Sequence, residues 1–123
     1  LNSPLLNKAV VTFVLGPTQV TLPRYGFDAR FQLVVLDGPH AWPFPDLEYY
    51  YFYPRIETGG LLVVDDIQIR SIRRMFEILE ADAMWRLDEV VGNTAFFRRT
   101  DAPTFCPTGD GWWEQGYNLP SSA

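Results

Sequence analysis

The sequence predicts an α/β fold with a mainly parallel sheet and an antiparallel hairpin at its C-terminal end. Three observations predict it: short runs of β-branched and aromatic residues that stop at turn signals, amphipathic helical stretches between them, and two strand-like segments flanking Gly92-Asn93. The 123 residues, 47 % of them hydrophobic, suffice for one core and one domain. Residues 1–99 are expected to form that domain, and residues 100–123 an irregular Pro-, Gly- and aromatic-rich tail.

Residues 10–15 (Val-Val-Thr-Phe-Val-Leu) form the first apolar run, stopped by Gly16-Pro17, and read as a buried strand. An irregular stretch with Pro23 and Gly26 follows. Residues 31–36 (Phe-Gln-Leu-Val-Val-Leu) repeat the strand pattern and run into Asp37-Gly38-Pro39-His40. Residues 46–53 are expected to be a short aromatic helix, capped by Asp46, with Glu48 complementing its dipole and Pro54 ending it. Residues 61–64 are apolar at every position, as in a strand covered on both sheet faces, and lead into Asp65-Asp66.

Over residues 68–82, Ile69, Ile72, Phe76 and Leu79, continued by Ala83, fall at three- and four-residue steps along one helical stripe. Residues 85–91 and 94–98 then form a hairpin about Gly92-Asn93, both of which tolerate positive φ.

Composition narrows the function. A net charge of −5 and a pI near 4.7 oppose a nucleic-acid partner. The basic cluster Arg70, Arg73 and Arg74 shares its helix with Glu77 and Glu80, as on a solvated, ion-paired face. No apolar stretch is long enough to span a membrane. A lone cysteine, Cys106, forms no internal disulfide, which fits a reducing, cytoplasmic setting. The chain opens on Leu1 without the basic start and long apolar run of a secretory signal, and reads as a fragment or processed chain.

In open α/β sheets ligands gather beyond the carboxyl ends of the strands. Asp37-Gly38-Pro39-His40 and Asp65-Asp66 both follow strands, so neighbouring parallel strands would bring three carboxylates and an imidazole together. Three adjacent carboxylates stay ionised only with a cation or strong donors, and hard oxygen ligands suit magnesium, calcium or manganese. His40 is the candidate general base. The plainer alternative is that Asp65 or Asp66 caps the following helix and the others are solvated.

The same segments carry a resemblance. Phe31-Gln-Leu-Val-Val-Leu-Asp-Gly-Pro-His40 followed by Gly59-Gly-Leu-Leu-Val-Val-Asp-Asp-Ile67 resembles the fourth and fifth strands of class I S-adenosylmethionine-dependent methyltransferases. More narrowly it is similar to small-molecule O-methyltransferases, whose loops here read Asp-X-Asp-Lys or Asp-Gly-X-His and then Asp-Asn or Asp-Asp. The likeness spans roughly residues 10–99, residues 10–23 resembling the third strand and its loop. It implies a Rossmann-like sheet, S-adenosylmethionine as cofactor with Asp37 and Gly38 at its site, a divalent metal such as magnesium or calcium on Asp37, Asp65 and Asp66, and a small-molecule acceptor near His40 as the base.

The resemblance stops short of the family's glycine-rich turn and of the acidic residue after its second strand. Gly16-Pro17 and Gly59-Gly60 do not replace that turn, because Pro17 removes an amide donor and Gly59-Gly60 precedes a strand. In the family's strand order, 3-2-1-4-5-7-6, loss of the first two strands leaves an exposed edge, through which the chain is expected to self-associate unless further chain covers it. The expected parent activity is methyl transfer to oxygen, the chain alone being inactive. The competing readings are a non-catalytic interaction module, with Trp112, Trp113 and Tyr117 as anchors, and an α/β enzyme holding a metal-bound sugar nucleotide on its Asp pairs.

Overall fold

The computed structural model describes residues 7–26, 28–105 and 110–120. Three helices and four strands make an α/β fold: α1 (Thr18–Tyr25), β1 (Phe31–Leu36), α2 (Phe44–Phe52), β2 (Ile56–Val64), α3 (Arg70–Ala81), β3 (Trp85–Val91) and β4 (Thr94–Arg99). The strands form one open mixed sheet in the order β1-β2-β4-β3. β1 and β2 are parallel, whereas β4 is antiparallel to both β2 and β3. Three strands therefore point one way and β4 alone is reversed. The pairings are not mainly parallel, because the hairpin turns its second strand inward, and an inserted reversed strand makes two antiparallel ladders.

Register explains the core. Leu62 pairs with Val34 and Phe97, and Val64 with Leu36 and Ala95, so these side chains share one face. They pack with Tyr53 near α2 and with Ile72, Met75, Phe76 and Leu79 of α3 in a single cluster. On the other face Val35, Val63 and Phe96 form a row in which Val63 is buried, Phe96 half-buried and Val35 56 % exposed. Leu33, on the same face of β1, is also 56 % exposed. The expected cover on both faces therefore holds at the centre of the sheet and thins toward the β1 edge.

The strand expected over residues 10–15 does not form. Lys8–Val10 is a 3-10 turn, residues 11–15 are irregular, and Val10, Phe13 and Leu15 are exposed. A strand exists only as part of a ladder, and the sheet ends at β1, so strong local β-propensity has nothing to pair with. Where the sequence suggested irregular chain, α1 forms instead. Pro23 lies inside it and forfeits the bond its amide would have made to the Gln19 carbonyl, and Gly26 ends it at φ 66°.

α2 begins at Phe44 rather than at an Asp46 cap, which places Asp46 inside its first turn. Of the hairpin turn residues only Gly92 has positive φ. Among residues 100–120, Trp112–Glu114 and Gly116–Asn118 are 3-10 turns, and a Cβ at Gly116 would lie 2.8 Å from the Ala81 carbonyl at the end of α3. Tyr117 is half-buried while Trp112 and Trp113 are exposed, edge to face with each other at 5.9 Å. Cys106 lies outside the described residues. Among those described, no helix is long and apolar enough to cross a membrane.

Candidate functional site

The pairing of Leu36 with Val64 puts the two acidic tips next to each other at one edge of the sheet. From these tips the structure brings together Asp37, His40 and Asp66, each offering one ligand atom within 4.8 Å of the others. His40 Nε2 lies 2.7 Å from Asp66 Oδ2. An ionised carboxylate only accepts, so with Asp66 charged the imidazole donates through Nε2, and Nδ1 is left as the basic nitrogen. Ser71 Oγ, in the first turn of α3, donates to the His40 carbonyl and pins that residue's backbone from below.

Asp66 adopts φ 62°, a left-handed conformation that aspartate tolerates better than most residues. Gln68 Nε2 donates to its Oδ1 at 3.3 Å, and the Asp66 carbonyl accepts from Ile69 N–H at 3.0 Å. Ile67 N–H donates to the Asn93 carbonyl at 3.0 Å, anchoring the same loop to the hairpin turn. α3 starts after Ile69, with no side-chain cap, so neither Asp65 nor Asp66 caps it.

Asp65 is separated from the cluster. Because β4 runs antiparallel to β2, its first residue, Thr94, arrives beside the end of β2 and donates through Oγ1 to Asp65 Oδ1 at 2.6 Å. That hydrogen bond, helped by the Asp66 amide, holds the Asp65 carboxyl below the usual carboxylate range. Asp65 still feels the charge of His40, but of the three carboxylates only Asp37 and Asp66 form a set with the imidazole within 4.8 Å. Neither Asp37 nor Asp66 pairs with a lysine or arginine among the described residues. The two hard carboxylate oxygens fit a divalent cation such as manganese, with the imidazole beside them left to act as a base.

Gly38 is constrained from beneath rather than from the crevice. A Cβ there would lie 2.6 Å from Glu48 Oε1 and 2.9 Å from its Cδ, so Glu48 occupies the space a side chain would need. Glu48 is only 5 % exposed and accepts from Thr18 Oγ1 at 2.7 Å, tying α2 to α1 under the Asp37–His40 loop. The sequence suggested only a helix-dipole partner for this residue. Its burial depends on Gly38 and Thr18 arriving from other elements, which no local pattern announces.

No known protein family matches the chain, and no curated protein is significantly similar to it. A paired imidazole and carboxylate beside a second, unpaired carboxylate can take a proton from a hydroxyl and hold a cation next to the resulting alkoxide. The described residues contain no glycine-rich turn between a strand and a helix, so they do not by themselves fit a whole nucleoside cofactor.

Proposed function

We propose that this chain forms the C-terminal part of a class I S-adenosylmethionine-dependent methyltransferase domain that acts on a small-molecule hydroxyl in the cytoplasm. The observation that carries the reading is topological. The order β1-β2-β4-β3, with β4 alone reversed, corresponds to the 4-5-7-6 half of the sheet in the family that the two acidic segments resemble. The bare edge of β1, with Leu33 and Val35 exposed beside it, is where the remaining strands and their helices would add.

In this reading the cofactor supplies an electrophilic methyl group when bound, and its nucleoside half is held by chain outside these 123 residues. The chain's own residues form the acceptor side. Asp66 orients His40, whose Nδ1 takes the proton of the acceptor hydroxyl, and Asp37 with Asp66 would hold the cation that steadies the oxygen's charge. Asp65 stays with Thr94 and supports the loop.

A second reading, an assembly module, is favoured by the exposed Trp112–Trp113 pair. Calorimetric titration separates the readings. The full-length gene product is expected to bind S-adenosylhomocysteine and this chain alone to bind none. A full-length product that binds a sugar nucleotide instead, or neither compound, would overturn the methyltransferase reading.

A further inference from the structure

A second concave surface runs along α2 toward the opposite end of the sheet. Asp46 lies three and four residues before Tyr49 and Tyr50, and Tyr53 four and three residues after them, so the four stand in one stripe along the helix and the turn after it. The stripe forms one wall of a hollow of about 340 Å³, closed by Asp82, Met84, Phe105 and Tyr117. Asp82 and Met84 precede β3, whose start lies at the edge of the sheet away from Asp37 and Asp66. The two sites are therefore separate.

The rings are held in place. Tyr49 and Tyr53 stack at 5.2 Å, and Tyr50 tilts 55° against Tyr53 at 6.5 Å. Trp85 Nε1 donates to the Tyr49 hydroxyl at 2.8 Å, and the Tyr53 hydroxyl donates to the Phe105 carbonyl at 3.2 Å. Asp82 accepts from Met84 N–H at 2.9 Å through Oδ1. Neither Asp46 nor Asp82 makes an ion pair among the described residues. Burial pushes the Tyr49 and Tyr117 hydroxyls up, and the charge of Asp82 pushes the same way, so both phenols are neutral at physiological pH.

Aromatic faces and unpaired carboxylates around an apolar hollow select among occupants. A bare metal ion would find too few oxygen ligands to replace its water, and a neutral apolar molecule would desolvate the carboxylates without compensation. A weakly hydrated organic cation satisfies both features at once, its charge meeting the ring faces and carboxylates while its alkyl groups meet the apolar lining. We propose that the hollow between α2, Asp82 and Tyr117 binds a small quaternary ammonium compound of the choline type.

Calorimetry on the whole chain with choline, and with its neutral isostere 3,3-dimethylbutan-1-ol, tests this. Choline is expected to bind saturably and the isostere about tenfold more weakly or worse. Tyr50 and Asp46 are exposed, so Tyr50→Ala and Asp46→Asn leave the core intact, and each is expected to weaken choline binding severalfold, as is Asp82→Asn. Tyrosine ring-proton shifts in the unsubstituted protein locate the ligand independently of any variant. Absence of saturable choline binding, equal affinity for the isostere, or shifts confined to tyrosines outside the hollow would overturn the proposal.

Discussion

Gly38 and Thr94 are the residues on which the acidic edge turns. Adding a methyl group at Gly38 forces the buried Glu48 carboxylate to move and to give up its bond from Thr18. Gly38→Ala is expected to cost about 1–3 kcal/mol of stability in urea titration, and the cost should shrink when Glu48→Ala is present in the same chain. Thr94 sets the state of Asp65. A carboxyl held below its ordinary range stabilises the fold above that range and loses the contribution as pH falls through its folded value. Stability of the unsubstituted chain should therefore decline as the medium is acidified, and Thr94→Val should flatten that decline; an unchanged slope would mean that Thr94 does not govern Asp65.

At the scale of elements, the two faces of the sheet make opposite predictions. Phe97 is fully buried against α3, with its ring 5.6 Å from Phe76, whereas Val35 lies on the sparsely covered face. Phe97→Ala is expected to cost about 3–5 kcal/mol in chemical denaturation. Val35→Thr should stay within about 0.5 kcal/mol in this chain. Elements whose local pattern agrees with the partners they find were legible in the sequence: the stripe of α3, the apolar runs of β1 and β2, and the hairpin about Gly92. Elements that depend on distant partners were not. Residues 10–15 carry strand-forming side chains without a ladder, and α1 is a helix that contains Pro23 and is closed by Gly26, although both read as breakers. At the site, Asp37, His40 and Asp66 were legible as residues at strand ends, while the removal of Asp65 by Thr94 followed only from the reversed direction of β4.

For the molecule as a whole, one topological fact organises the rest. Strands β1 and β2 run side by side in the same direction, so the carboxylates that follow them meet at one end of the sheet, and the reversed β4 hydrogen-bonds one of them, Asp65, through Thr94. The remaining two carboxylates, Asp37 and Asp66, carry the proposed chemistry together with His40. Manganese titration of the 123-residue chain, followed by electron paramagnetic resonance, tests this arrangement most directly. Asparagine tolerates the left-handed backbone at position 66, so Asp66→Asn removes charge without disturbing the turn. One site is expected, weakened about tenfold or more by Asp37→Asn or Asp66→Asn and nearly unaffected by Asp65→Asn. Absence of a site, or its loss on Asp65→Asn alone, would contradict the account.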